Sequence, residues 1–251
     1  MIYATGDCHA NFRRFERKYF PEQENMDRDD CVIICGDFGG VWFGDQRDDA
    51  GLGFLESLPF TTLFVTGNHE NFEALARYPA EEWHGGTVRR VRPHVLHLLR
   101  GQVYEIEGCT FFTMGGASSH DVSDGILEPD DPQFKKKLRM LKMFGKMMYR
   151  VNHVSWWKEE LPSDEEYAEA RRNLERVNHE VDYVITHCAP SSVQDTISRG
   201  YQHDRLTDFF EELRTRMNFH YWLFGHYHGN HNITHDGKEY VLLYEQVVRV
   251  V

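Results

Sequence analysis

Short apolar runs that end in glycine, histidine or aspartate recur along the chain and constrain its fold more than any other feature. These runs cover residues 2–5, 31–35, 62–66, 183–186 and 221–224. Because they are continuously apolar rather than alternating, they predict strands in sheets that are covered on both faces. Helical patterns separate several of them, which is typical of βα units. The expected fold class is therefore α/β.

Three segments between the strands have apolar residues at helical spacing. Ser163 and Glu166 form a capping-box pattern at the start of the second segment, and Asp204 is the predicted N-cap of the third. The three apolar stripes are Phe12, Phe15 and Tyr19; residues 167–177; and residues 206–217.

Two hairpins are predicted in addition to the βα units. Glu107-Gly108 separates strand-like residues 102–106 from 109–114, and Asp236-Gly237 separates 232–235 from 239–250. The chain contains no internal repeat and no low-complexity linker. Residues 1–251 are therefore predicted to form a single domain.

The charge balance restricts the classes of partner. With 28 basic and 40 acidic residues the formal net charge is −12, which argues against a stable nucleic-acid complex or binding to anionic membranes. No apolar run approaches the roughly 18 residues of a membrane span, and no secretory leader pattern follows the first Met. The 5 scattered cysteines are typical of a reduced protein, so a cytoplasmic location is expected.

An insertion is predicted at about residues 118–162. Seven cations lie between positions 135 and 150 with no acidic residue among them, and apolar residues follow helical spacing through the same stretch. A basic amphipathic helix is predicted, with two interpretations of its charge: an ordinary solvated face, or a contact surface for an anionic substrate or partner. Its apolar positions are Leu138, Leu141, Phe144, Met148 and Val151.

Metal-ligand residue types follow each of the five apolar runs. In extended backbone, side chains at i and i+2 project to the same face. His226 and His228 are therefore predicted to enter one cavity while Tyr227 points away, and Asp7 and His9 repeat this spacing. Since function collects at the C-terminal ends of strands in α/β folds, the five clusters are predicted to form one site.

As a set, these clusters resemble the motifs of the calcineurin-like metallophosphoesterases, which run DxH, GD, GNHE/D, H and GHxH. The resemblance implies a four-layer α/β/β/α sandwich of two mixed sheets with a dinuclear metal site. It covers nearly the whole chain. The matching segments are Asp7-Cys8-His9, Gly36-Asp37, Gly67-Asn68-His69-Glu70, Thr186-His187 and Gly225-His226-Tyr227-His228.

The resemblance also implies the ligands of each ion. Imidazole and carboxylate donors without thiolate suit divalent transition ions, with Mn²⁺ favoured and Fe²⁺ or Zn²⁺ open. Asp37 would bridge the two ions. The first ion would be held by Asp7, His9 and His228, and the second by Asn68, His187 and His226.

The implied reaction is phosphoester hydrolysis by a water activated between the two ions. His69 would be the catalytic residue that protonates the leaving oxygen. A phosphodiesterase acting on nucleotide-like substrates is slightly favoured because of the basic insertion. A small-molecule phosphomonoesterase and, less favoured, a non-catalytic scaffold on the same fold are the alternatives.

The chain departs from the related phosphoprotein phosphatases after Asp37, where it lacks their following Asp and Arg. Protein phosphatase activity is therefore not expected, and the partner of His69 is open between Asp45 and Asp48. Glu70 and Asn71 are candidates for supporting the ligands, although Glu70 also fits a solvated turn. His120 and Asp121 either line the substrate side or are ordinary surface residues. The oligomeric state is left open.

Overall fold

The computed structural model describes residues 1–198 and 200–251. The helices are α1 (Asp49–Ser57), α2 (Phe72–Ala76), α3 (Phe134–Met143), α4 (Asp164–Arg176), α5 (Ser191–Ile197) and α6 (Arg205–Arg216). The strands are β1 (Ile2–Thr5), β2 (Cys31–Ile34), β3 (Thr61–Phe64), β4 (Ala80–Trp83), β5 (Gly86–Arg92), β6 (Val95–Leu98), β7 (Gln102–Ile106), β8 (Cys109–Met114), β9 (Gly125–Leu127), β10 (Tyr149–Val151), β11 (Tyr183–Thr186), β12 (Tyr221–Phe224), β13 (His231–His235), β14 (Lys238–Leu242) and β15 (Val248–Arg249).

The strands form two large mixed sheets. The first has 7 strands in the order β15-β1-β2-β3-β6-β5-β4, and the second has 6 in the order β13-β14-β12-β11-β8-β7. Parallel pairs occupy the centre of each sheet and antiparallel strands lie toward the edges. Parallel strands need cover on both faces, which accounts for the continuous apolar runs.

Alternate side chains of the central strands enter different apolar clusters, which defines the layers. One cluster lies between the sheets and includes Ile33 and Leu63 with Phe111 and Ile185. A second joins the first sheet to α1 and α2, and a third joins the second sheet to α4 and α6. The predicted α/β/β/α sandwich of two mixed sheets is confirmed.

Most local predictions are confirmed. All five apolar runs contain a strand, and the β7–β8 hairpin forms as expected. Ser163 and Glu166 make the capping box that begins α4. Asp204 caps α6 by accepting hydrogen bonds from the backbone N–H groups of Leu206 and Thr207.

Two predictions of regular elements are wrong. The stripe at Phe12, Phe15 and Tyr19 forms only a short 3₁₀ turn at Arg13–Phe15, because Phe12 and Phe15 pack into the outer cluster while Tyr19 is exposed. The strand predicted over residues 239–250 is two strands, β14 and β15, which belong to different sheets. The chain crosses between the sheets there, and the carbonyl of Tyr244 accepts a hydrogen bond from the backbone of Gly6 (3.1 Å).

Residues 118–162, predicted as an insertion and called the insertion below, contain the basic helix in shortened form. Helix α3 ends at Met143, and β9 and β10 form a separate two-stranded parallel sheet. No residue of α3 is buried, so its apolar stripe does not join the main core. Phe144 and Met147, which follow the helix, are 66% and 83% exposed. Exposed apolar side chains therefore accompany the cations of this segment.

Within residues 1–198 and 200–251, no helix combines the length and apolarity needed to cross a membrane. The five cysteines are free thiols, and all except Cys109 are buried.

Candidate active site

The candidate site lies where strands of both sheets end. Asp7 and Asp37 follow β1 and β2 of the first sheet, while His187 and His226 follow β11 and β12 of the second. Asp7, Asp37 and His187 are almost fully buried. The structure therefore brings together residues that are distant along the chain, such as Asp7 and His226, which are 219 positions apart.

Two glycines permit this close approach. A Cβ atom on Gly67 would lie 2.0 Å from Asp37 Oδ1, and one on Gly225 would lie 2.2 Å from Asp7 Oδ1. Both distances are far shorter than a van der Waals contact. Glycine is therefore required at these two positions because the backbone of one strand end must touch a carboxylate from another.

The side chains of Asp7, His9 and His228 form the first group of potential metal ligands. Their ligand atoms all lie within 4.8 Å of one another. His228 Nε2 is 3.2 Å from Asp7 Oδ2 and 3.5 Å from His9 Nε2. Two ligand atoms that bind the same ion, each at about 2.1 Å, are separated from one another by about 3.0–3.4 Å. The observed spacing therefore suits a shared cation.

A second group consists of Asp7, Asp37 and His187, whose ligand atoms also lie within 4.8 Å of one another. His187 Nδ1 is 2.8 Å from the carbonyl oxygen of Cys35. This contact requires Nδ1 to carry a proton, which makes Nε2, 3.4 Å from Asp37 Oδ1, the nitrogen available to an ion. Fixing a histidine tautomer through its other nitrogen is the usual arrangement at metal sites.

Three predicted ligands have buried polar atoms that no hydrogen bond satisfies. They are Asp7 Oδ2, Asn68 Oδ1 and His187 Nε2. Burying a polar atom without a partner is costly. Unpaired buried atoms also occur elsewhere, as at Thr62 Oγ1 and Tyr240 Oη, but these three belong to residues that follow strand ends at the site. All three are oxygen or imidazole nitrogen donors, which divalent transition ions accept. The residues present therefore fit a metal centre.

The insertion orients the amide of Asn68. Asn68 Nδ2 donates to Ser119 Oγ (3.3 Å), and Ser119 Oγ donates to Glu160 Oε2 (2.5 Å). The backbone N–H of Ser119 donates to the other carboxylate oxygen of Glu160 (3.0 Å). Because Ser119 uses its hydroxyl proton on Glu160, it accepts from Asn68, which leaves Asn68 Oδ1 free toward the site.

The prediction that His226 and His228 share one face is wrong. Both have left-handed backbone, with φ of +70° and +48°, rather than the extended conformation on which the i, i+2 rule depends. The ring of His226 lies 5.0 Å from that of His187, whereas the ring of His228 lies 5.6 Å from that of His9. The two histidines therefore serve different halves of the site.

Tyr227 points away from the site, as predicted. Its hydroxyl donates to Gln194 Oε1 (2.8 Å) and accepts from the backbone N–H of Ala189 (3.2 Å). Positive φ is unfavourable for residues other than glycine and persists where surrounding contacts enforce it. The anchoring of Tyr227 between His226 and His228 is one such contact.

The ionisable side chains of the site shift one another's pKa values. Burial by itself would raise the pKa of Asp37, but the imidazoles of His187, His69 and His9 hold it well below its usual range. Burial would lower the pKa of His187, but the carboxylates of Asp37 and Asp7 raise it to about 9. Burial, followed by the charge of His187, holds the pKa of His226 well below its usual range. Asp37 is thus kept as a carboxylate at the centre of the imidazoles.

Asp37 holds the backbone of His69. Its N–H donates to Asp37 Oδ1 (2.8 Å), and its ring centroid lies 5.4 Å from that of His9. Burial lowers the pKa of His69, Asp37 opposes that effect, and Arg150 adds to it. In the part of the chain that the structure describes, no hydrogen bond reaches the His69 ring, so neither sequence candidate for its partner is confirmed.

The two candidate partners of His69 have other contacts. Asp48 accepts hydrogen bonds from the backbone N–H groups of Phe43 (3.1 Å) and Gly44 (2.7 Å). Asp45 forms an ion pair with Arg47 (2.7 Å). Both aspartates therefore shape the loop after Asp37.

Glu70 and Asn71 also stabilise this loop. Glu70 is completely buried, so the solvated-turn interpretation is wrong. It accepts hydrogen bonds from the backbone N–H groups of Phe38 (2.7 Å) and Gly39 (3.2 Å). Burial and then the charge of Asp37 raise its pKa to about 8. Asn71 caps α2 and donates to the carbonyl of Trp42 (2.7 Å).

Several contributing residues carry no signal in the sequence. Ser119 and Glu160 act through Asn68, and Arg14 donates to the carbonyl of Asp7 (2.6 Å) and to Thr5 Oγ1 (2.7 Å). Arg14 therefore fixes the end of β1. None of these residues lies in a motif, and only the folded chain shows what each one contacts.

His120 and Asp121 have separate surroundings. His120 Nε2 lies 2.8 Å from His226 Nε2, so this histidine of the insertion reaches the site. Asp121 forms an ion pair with Arg150 of β10, in which Arg150 Nε is 2.9 Å from Asp121 Oδ1. The insertion therefore places an acidic and a basic side chain, Asp121 and Arg150, beside the site.

The family model described as calcineurin-like phosphoesterase matches residues 1–230. No curated protein gives a significant match.

Solved structures with similar folds include a phosphopantetheinyl hydrolase from Mycobacterium tuberculosis, at 18% identity and a TM-score of 0.46, over 97% of this chain and 89% of that one. The Thermus thermophilus protein TT1561 is similar at 13% identity and a TM-score of 0.42, over 97% of this chain and 89% of the other. A Staphylococcus aureus protein described as a putative 5′-nucleotidase is similar at 12% identity and a TM-score of 0.46, over 98% of this chain and 49% of its own. At these identities none of them identifies a substrate.

Proposed function

This chain belongs to the calcineurin-like phosphoesterase family, and from that membership we propose that it hydrolyses phosphoesters with the help of two divalent metal ions. The observation that carries the proposal is the set of buried, unsatisfied ligand atoms on Asp7, Asn68 and His187. A non-catalytic scaffold has no need to keep two of these atoms, on Asp7 and His187, in groups of carboxylate and imidazole ligand atoms that all lie within 4.8 Å of one another, because burying such groups together destabilises the fold.

Each predicted ligand has a role in this proposal. Asp37 would contact both ions, since its two oxygens face His187 Nε2 (3.4 Å) and His9 Nε2 (3.6 Å). When bound, the ions would lower the pKa of a water molecule and neutralise charge on the phosphoryl group. Mn²⁺ is favoured, with Fe²⁺ or Zn²⁺ as alternatives. The first ion would be held by Asp7, His9 and His228, and the second by Asn68, His187 and His226.

His69 would donate a proton to the leaving oxygen. Asp37 holds its backbone, and its ring lies beside His9 at the edge of the site. Its side chain is not needed as a ligand, which leaves the ring free to transfer a proton. The substrate class proposed here is a phosphorylated small molecule or a nucleotide-like phosphoester.

Metal analysis together with turnover tests the proposal. Protein stripped with a chelator and reconstituted with Mn²⁺ is expected to bind about two ions per chain and to hydrolyse 4-nitrophenyl phosphate or an aryl phosphodiester. His228→Ala should lose one ion. His231→Ala removes another exposed histidine, at the start of β13, and is the matched control, which should keep both. Fewer than one bound ion, with no turnover of any aryl phosphate, would establish the scaffold instead.

A further inference from the structure

Two separate cavities adjoin the candidate metal site. The aromatic cavity has a volume of about 510 Å³ and is lined by His9, Phe12, Trp42, Phe43, Arg47 and His69 among others. The polar cavity has a volume of about 600 Å³, and its lining includes Ser119, His120, Ser123, Tyr201, His203 and Asp204. Both volumes are in the range of small-molecule sites, and the two linings share no residue.

The two cavities adjoin residues that are assigned to different ions. The aromatic cavity contains His9, a ligand assigned to the first ion, and His69, the proposed proton donor. The polar cavity contains His120, which lies 2.8 Å from His226, a ligand assigned to the second ion. Ser119, which contacts Asn68 at 3.3 Å, lines the same polar cavity. A phosphoryl group at the ions would therefore adjoin both cavities.

The walls of the aromatic cavity contact one another and Trp157 outside it. The ring of Trp42 packs edge-on against Trp157 with centroids 5.7 Å apart, and the guanidinium of Arg47 lies 4.0 Å from the centre of the Phe43 ring. Asp48 holds the Phe43 backbone. Aromatic rings around a mainly apolar space favour a planar, apolar group such as an aryl ring or a nucleobase.

The polar cavity is the more polar of the two, since its lining includes hydroxyl, imidazole and carboxylate side chains, and Tyr201 adds an aromatic ring. The Tyr201 ring lies 4.2 Å from that of His120. Such a lining suits a sugar or another organic group that carries hydrogen-bonding atoms. The difference in lining means that the two cavities are not equivalent.

We propose that the preferred substrate is a phosphodiester whose leaving group occupies the aromatic cavity and whose retained ester group occupies the polar cavity. This inference rests on the proposed phosphoesterase function. The leaving group is assigned to the aromatic cavity because His69, which lines it, would protonate the leaving oxygen. A monoester has a single organic group and would fill only one cavity, whereas a diester fills both.

The reaction balances as a hydrolysis. The oxygen of water forms a new bond to phosphorus, and the bond between phosphorus and the leaving oxygen breaks. His69 transfers its proton to that oxygen and regains one from the attacking water. The products are an alcohol, released from the aromatic cavity, and a phosphomonoester whose organic group lies in the polar cavity.

Two substrates with the same leaving group test the inference. 4-Nitrophenyl phosphate is a monoester, and the 4-nitrophenyl ester of thymidine 5′-phosphate is the corresponding diester. With Mn²⁺-reconstituted enzyme, Phe43→Ala is expected to raise KM about 3- to 10-fold for both substrates. Tyr201→Ala is expected to raise KM by a similar factor for the diester alone. Tyr201→Phe keeps the ring and should behave as wild type, and bound metal and thermal unfolding are measured for every variant.

Failure of this inference can be distinguished from failure of the proposed function. Hydrolysis of the monoester without hydrolysis of the diester would overturn this inference and leave the phosphoesterase function intact. An equal rise in KM for both substrates in Tyr201→Ala would also overturn it, because the polar cavity would then not be specific to the second ester group. If neither substrate were hydrolysed by enzyme carrying both ions, the proposed function itself would fail.

Discussion

Replacing Ser119 with alanine is expected to weaken the binding of one metal ion and leave the other unaffected. The Ser119 hydroxyl accepts from Asn68 Nδ2 (3.3 Å) and donates to Glu160 Oε2 (2.5 Å). Without it, the Asn68 amide loses the contact that turns its oxygen toward the site. Asn68 is assigned to the second ion, so only that ion should respond.

The expected changes in metal affinity and in stability follow from the two lost hydrogen bonds. Both partners are buried, and leaving one buried polar group unsatisfied costs about 1–3 kcal/mol. Loss of a hydrogen bond that orients a metal ligand weakens metal affinity by about 10- to 100-fold. We therefore expect Kd for the second ion to rise by that factor, with a fall in the unfolding free energy of the metal-free protein of about 1–3 kcal/mol.

Calorimetric titration of chelator-treated protein with Mn²⁺ resolves the two binding events. Ser123→Ala is the matched control, because Ser123 is an exposed serine in the same segment and its replacement should change neither Kd. Wild-type affinity for both ions in Ser119→Ala would refute the role of Ser119 in orienting Asn68. Equal weakening of both ions would refute the assignment of Asn68 to a single ion.

Other substitutions test further parts of the site and the fold. Asp37→Ala should abolish activity and weaken both ions, because each of its oxygens faces a different imidazole; retention of both ions would argue against a bridge. His69→Ala should keep both ions in metal analysis and lose about 10²–10⁴ in rate, and a metal-free variant would contradict its role as proton donor. Burial lowers the pKa of His97 from 6.5 to about 3, and the charges of Arg100 and Arg89 add to this effect. Between pH 3 and pH 6.5 the unfolded chain therefore binds one more proton than the folded chain. The free energy of unfolding should therefore fall by about 2 kcal/mol from this group between pH 6.5 and pH 5. His97→Phe should remove this part of the pH dependence in denaturant titrations of metal-free protein, and an unchanged pH dependence would show that His97 is not the source. If the basic segment contacts substrate phosphates, neutralising four lysines to Gln should raise KM for a polyphosphorylated substrate at low salt, and an unchanged KM would leave α3 as a solvated face. Those lysines are Lys135, Lys136, Lys137 and Lys142.

The predictions that succeeded depend on interactions close in sequence. The apolar runs become strands because both faces of each sheet are covered, and the capping box at Ser163 involves residues only three positions apart. Patterns of this kind are visible in a linear sequence since the hydrogen bonds and side-chain periodicity that produce them are local. The candidate ligands, whose role stays a prediction, were recognisable in the sequence for a related reason, because each of them lies shortly after the end of a strand.

The predictions that failed depend on distant contacts. The left-handed backbone at His226 and His228 was missed because the i, i+2 rule assumes extended strands. The turn at Arg13–Phe15 replaced a predicted helix because the aromatic side chains of that segment pack against a cluster contributed by other elements.

The sequence by itself determined the α/β class, the positions of the central strands and the chemistry of the ligand set. Tertiary structure decided which ligands face each other, and it brought Ser119 to Asn68 across 51 positions and Glu160 to Ser119 across 41. It also created the two cavities, each of which is lined by loops that are distant along the chain. The physical reason is that strand formation depends on local periodicity, whereas the site exists only once the packing of two sheets brings their strand ends and the insertion into contact.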